Sequence, residues 1–309
     1  MQRRSFIAGL AAVGAAAGFP AAPRAAWAAG SPSLGTTRLT DSLTLVTGAG
    51  GNVVVFDSPE GVLLVDGGSR ARSAELLQTV RGLTGKDRVH TLFNTHWHWD
   101  QTGSNAALAG SGTQILSHEN TRLWLGTDVD SEWEQRRYER LPKSARPTKT
   151  FYTTGSLQFG GEQIDYGHLP QAHTDGDLYV HFRRADVIVC GDVLSVGRYP
   201  LIDYSTGGWL GGLVEATKQL AALGKDSTRF VPGVGSVQSR AAVQAENQML
   251  GTMRTRLAKL LAEGMSAQEM VDARPSRDFD TTWGDPELFI RNAWPGLVAR
   301  ARELGVAIV

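Results

Sequence analysis

The chain has 309 residues, 41% of them hydrophobic, and its 31 basic and 31 acidic residues balance at neutral pH. That balance argues against a nucleic acid as the main partner, and a lone cysteine, Cys190, excludes an internal disulfide. The chain opens with Arg3 and Arg4 ahead of an apolar, Ala-rich run to Phe19, and Ala26-Trp27-Ala28 offers a small-x-small cleavage point. Residues 1–28 therefore read as a twin-arginine signal peptide, which would send the mature protein to the periplasm or out of the cell. The run is too short and too rich in Ala and Gly to span a membrane. Without its three arginines, residues 29–309 carry a net charge of about −3 and read as a single domain with no repeat or linker.

Residues 43–47, 52–57 and 61–66 read as short strands, and 69–83 as a helix with an apolar stripe at Leu76, Leu77 and Val80. Residues 89–93 predict a buried strand that runs into the loop His96-Trp97-His98-Trp99-Asp100-Gln101-Thr102-Gly103. In extended backbone alternate side chains leave one face, so His96, His98 and Asp100 can converge on a point beyond the strand. Imidazole nitrogens and a carboxylate oxygen suit zinc, and also iron or manganese. A helix is predicted from about residue 101 to 109, a strand at 114–117 and a helix at 118–124. Residues 126–150 crowd Asp128, Asp130, Glu132, Glu134, Arg136, Arg137, Glu139 and Arg140 together; they read as a solvated helix, with a lid over the site as the alternative.

Strands at 151–159, 163–169, 178–182 and 187–190 would build a second sheet. Within it, Gln171-Ala-His173-Thr-Asp-Gly-Asp177 is a turn carrying a third histidine, and Gly191-Asp192 ends a strand with a carboxylate. Helices at 211–223, 241–263 and 286–304 close the chain. The alternation supports an α/β fold. His90, His118, His168 and His181 fall in strand or helix-start patterns and read as structural, and Cys190 as a buried, inert thiol. The aromatic, turn-rich stretch 198–209 is the best candidate for substrate contact, through Tyr199, Tyr204 and Trp209.

An Asp66-Gly strand end, His-x-His-x-Asp, a His-Thr-x-Gly-Asp turn and a Gly-Asp strand end, in that order, resemble the metallo-β-lactamase superfamily over roughly residues 40 to 240. The resemblance implies a four-layer αβ/βα sandwich of two sheets between outer helices. By motif match it makes His96, His98 and His173 the metal tripod, with Asp100 as general base and further ligand. It sets Asp192 where relatives carry a metal-bridging carboxylate and gives Asp66 the role of holding the loop. The chain also departs from the pattern: dinuclear members follow His-x-His-x-Asp with another histidine and end on Pro-Gly-His-Gly, where this chain has Gln101 and Pro-Gly-Val234-Gly. One ion, zinc, is therefore expected, with a weak second site at most.

The implied activity is attack by a metal-bound hydroxide on a cyclic amide, lactone, ester or thioester of a small molecule. Two alternatives stand beside it. A persulfide-dioxygenase-like enzyme would hold one iron through His96, His173 and Asp192, and a protein that had lost catalysis would only bind a ligand.

Overall fold

The computed structural model describes residues 33–304 apart from residue 132, so the proposed signal peptide lies outside the described residues. From Leu34 onwards the chain forms one compact unit. Its strands in chain order are β1 (Gly35–Arg38), β2 (Leu43–Thr47), β3 (Val53–Ser58), β4 (Gly61–Val65), β5 (Val89–Phe93) and β6 (Gln114–His118). A small hairpin, β7 (Val129–Ser131) and β8 (Arg136–Tyr138), leads to β9 (Lys149–Phe151). Then come β10 (Thr154–Phe159), β11 (Glu162–His168), β12 (Leu178–Phe182), β13 (Val187–Gly191) and β14 (Arg229–Pro232). One sheet runs β1-β2-β3-β4-β5-β6-β9 and the other β10-β11-β12-β13-β14.

The period of two along each strand decides the layering. In β4, Leu63 and Val65 point to the same core as Ile164, Val180 and Phe182 of the second sheet, while Val62 and Leu64 point outwards to Leu76 and Val80 of the helix Ser73–Thr84. In β13, Val187 and Val189 face the first sheet. Ile188 and Cys190 face the helices Leu210–Leu223 and Arg240–Ala262, against Leu213, Leu220, Leu250 and Leu257. Strands packed on both faces leave no polar side, which is why β4 and β13 read as unbroken apolar runs. The result is the expected αβ/βα sandwich. Emptying one of these positions, as in Leu64→Ala, would cost about 2–5 kcal/mol.

Two expectations are corrected. Residues 151–159 do not form one strand: Lys149–Phe151 lies parallel to β6 in the first sheet, and Thr154–Phe159 pairs antiparallel with β11 in the second. The chain changes sheet at the exposed Tyr152, a switch that apolar alternation cannot register. Residues 126–150 are not a helix. They carry the β7–β8 hairpin, whose Val129 and Tyr138 pack with Leu125 and Trp97. Strands of three residues are too short to show a period of two over the charge run.

Parallel pairing of β4 with β5 and of β13 with β14 makes their carboxyl ends open in register. Asp66, the loop 94–98, Gly191-Asp192 and the loop 233–235 follow these ends, so functional side chains collect on one edge of the sandwich.

Candidate metal centre

Each imidazole on that edge is held from behind. Asp66 sits at φ 65°, a left-handed position that Asp tolerates, and its carboxylate accepts from Thr95 N and Thr95 Oγ1, both at 2.8 Å. Having given its proton to Asp66, Thr95 Oγ1 can only accept from His96 Nδ1, 3.1 Å away. His98 Nε2 donates to the buried carboxylate of Asp203 at 3.0 Å, and Ser205 and Thr206 hydroxyls bond the same carboxylate. His173 Nδ1 donates to the Leu201 carbonyl at 2.9 Å. The turn that carries His173 is closed by Asp177, which accepts from Thr174 N and Oγ1 at 2.8 and 2.7 Å.

These partners fix all three tautomers, since a carbonyl and a carboxylate can only accept. With the outer nitrogens protonated, His96 Nε2, His98 Nδ1 and His173 Nε2 each turn a lone pair inwards. His98 Nδ1 and His173 Nε2 lie 3.0 Å apart, and His96 Nε2 is buried with no partner. The rings meet edge to face, with centroids 4.7–4.8 Å apart. One proton can bridge two of these atoms; only a cation that accepts three lone pairs satisfies the set.

Asp192 completes a group of four with His96, His98 and His173, their ligand atoms all within 4.8 Å of one another. Its Oδ2 is 3.9 Å from His173 Nε2, while Oδ1 is buried without a partner. The residue set therefore fits a resident metal ion.

Burial and the neighbouring imidazoles hold His96 well below the usual histidine range, and burial with His98 brings His173 down to about 4. Burial opposes the charged form of His98 too, but the Asp203 hydrogen bond and charge outweigh it and raise the ring. Burial lifts Asp66 well above the carboxylate range against the pull of Thr95. Asp100, the second residue of the helix Trp99–Thr102, is pushed up to about 6 by burial and by the Asp192 carboxylate. It stands beside the group of four, not within it.

The second-site positions look different. Gln101 is fully buried, its Nε2 donating to the Gly233 carbonyl at 3.3 Å and its Oε1 unpartnered. Its carboxamide is wedged between Gly51 and Gly233, at both of which an added Cβ would press on it. Gly233 also lies so close to Asp192 Oδ1 that any side chain there would displace the carboxylate. Val234, next along, is half-buried.

Of the aromatic candidates, Tyr199 is corrected: it is buried in the C-terminal helical core, stacked on Phe289, with its hydroxyl on Asp280. Trp209 lies under the Arg254 guanidinium and, with Tyr204, against Gly296 in the helix Glu287–Glu303. Tyr204 is 41% exposed. The stretch 198–209 serves the site through the Leu201 carbonyl, Asp203 and Thr206, which the sequence reading missed. Asp203 sits in the turn-rich segment that drew attention for its rings, and a buried acid there was the available signal. Trp97 is buried and donates to Thr206 Oγ1 at 3.0 Å. His168 stacks on His118, outside the group of four, and burial raises the Cys190 thiol, as an inert cysteine requires.

A model of the metallo-beta-lactamase superfamily matches residues 46–233. The fold is similar to a metallo-beta-lactamase from Pontibacter korlensis, at TM-score 0.58 and 18% identity over 71% of this chain and 99% of that one. It is also similar to a metallo-beta-lactamase from Hirschia baltica, at TM-score 0.56 and 15% identity over 71% and 98%. A double mutant of the sec-alkyl sulfatase PisA1 aligns at TM-score 0.64 and 12% identity, over 89% of this chain and 51% of that one. No curated protein sequence matches the chain. At such identities the likeness is one of fold.

Proposed function

The chain belongs to the metallo-beta-lactamase superfamily, and from that premise we propose that it is a hydrolase of small molecules working with one tightly held metal ion, zinc. The observation that carries this reading is the convergence of three imidazole nitrogens, each on a ring whose other nitrogen already has a hydrogen-bond partner. His96, His98 and His173 would hold the ion, with Asp192 beside them. When bound, the ion supplies a Lewis acid that polarises the scissile bond and makes a water acidic enough to attack near neutral pH. The remaining work falls to the protein. Asp100, beside the group of four, takes the proton that the attacking water gives up and passes it to the leaving group. Asp203, Thr95 and the Leu201 carbonyl keep the three rings aimed.

A cyclic amide, lactone, ester or thioester satisfies this chemistry, and the likeness to a sec-alkyl sulfatase adds a sulfate ester to the substrates worth assaying. Among the described residues no helix is long and apolar enough to cross a membrane. Export through the twin-arginine leader at residues 1–28, to the periplasm or beyond, is part of the same proposal. It would be tested by replacing Arg3 and Arg4 with Lys and following where the protein accumulates.

The zinc-loaded mature protein, assayed against those five substrate classes, should cleave at least one, lose that activity to a chelator and regain it with zinc. Cleavage of none, or activity indifferent to the chelator, would overturn the hydrolase.

A further inference from the structure

The β7–β8 hairpin lies across the aromatic residues of the metal loop. The Tyr138 ring meets Trp97 and Trp99 edge on, at 5.3 and 5.0 Å between centroids, and Trp97 in turn meets His98 at 4.5 Å. Arg136, two residues before Tyr138 on the same strand, sets its guanidinium carbon 4.7 Å from the Tyr138 ring and 5.2 Å from the Trp99 ring. Two rings thus orient one exposed cation beside the catalytic loop.

Among the described residues the neighbouring charges of the hairpin have partners. Arg137 pairs with Asp128 and Asp130, and Glu134 accepts from the Tyr138 hydroxyl. Among the described residues none accepts a hydrogen bond from the Arg136 guanidinium or forms an ion pair with it. A guanidinium set against aromatic rings without an ion-pair partner keeps N–H donors for another acceptor, and its planar fork matches the oxygens of a carboxylate or sulfate.

We propose that Arg136 is the recognition point for an oxyanionic group of the substrate, fixing it while the scissile bond lies at the group of three histidines. The inference rests on the hydrolase reading and narrows its substrates to molecules carrying an anionic group several bonds from the bond cleaved. Tyr138 and Trp99 act as positioning residues for the cation. The hairpin then supplies specificity to a loop that supplies chemistry.

The test uses two nitrophenyl esters of one length, one ending in a carboxylate and the other in the neutral amide, with the zinc-loaded mature protein. The native protein should favour the carboxylate by about fivefold in kcat/KM, carried by KM. R136Q should bring that ratio close to one, and R136K should fall between, since lysine keeps the charge and loses the fork. An unchanged ratio in R136Q, or no preference in the native protein, would overturn the proposal. Should neither ester be cleaved, the hydrolase reading is decided on the other substrate classes, and tryptophan fluorescence tests Arg136 separately. Titration with the monoamide of adipate should then shift the signal in the native protein and not in R136Q, with the diamide silent in both. A response that R136Q retains, or one that is absent from the native protein, would refute the recognition role.

Discussion

The two halves of the candidate metal centre are built to different standards. Around the three histidines every ring has an outer partner that fixes its tautomer, and those partners are themselves held: Thr95 by Asp66, and Asp203 by Ser205 and Thr206. On the other side Gln101 sits where relatives place a histidine, its amide tied to a backbone carbonyl and its oxygen left unpartnered. Val234, beside it, offers no ligand atom at all. An organised outer layer therefore marks the half that should bind metal, and its lack marks the half that should not.

The largest test of this contrast is His96→Ala. It removes one of three lone pairs and should abolish both metal binding and activity in a protein that remains folded by circular dichroism. Full metal content in the variant would mean that the ion is held elsewhere.

Asp203→Ala comes next. It leaves all three histidines in place but frees the His98 ring, and loss of such an outer partner weakens metal affinity by about 10–100-fold. Competition against a chromophoric chelator would measure it, and an unchanged affinity would show that the outer partners are scaffolding only.

The smallest effect is expected on the other half. Gln101→His combined with Val234→His should raise bound metal from one ion towards two, read by atomic absorption. If the content stays at one, missing ligands are not what limits the second half, and the tight seating of residue 101 between Gly51 and Gly233 becomes the explanation.

How far these features were legible depends on distance along the chain. Strand ends and the His-x-His-x-Asp loop are local patterns, so an α/β fold and the convergence of His96 and His98 could be read directly, while the four-layer sandwich and the role of His173 came from the family resemblance. The partners of those histidines could not. Asp203 meets His98 across 105 positions and Leu201 meets His173 across 28, through a loop whose path no periodicity encodes. Aromatic residues misled for a related reason: Tyr199 and Trp209 stand in a turn-rich segment, yet the C-terminal helices reach over and cover them. Charge misled at residues 126–150, where the buried Val129 and Tyr138 decide the conformation and the acids and arginines only decorate it.

The most direct test of the central claim is elemental analysis of the mature protein, purified without added metal, by plasma mass spectrometry. One zinc per chain is the predicted result. One iron would move the chemistry to the dioxygenase alternative, and no metal even after zinc is supplied would contradict the account and leave a ligand-binding protein on this fold.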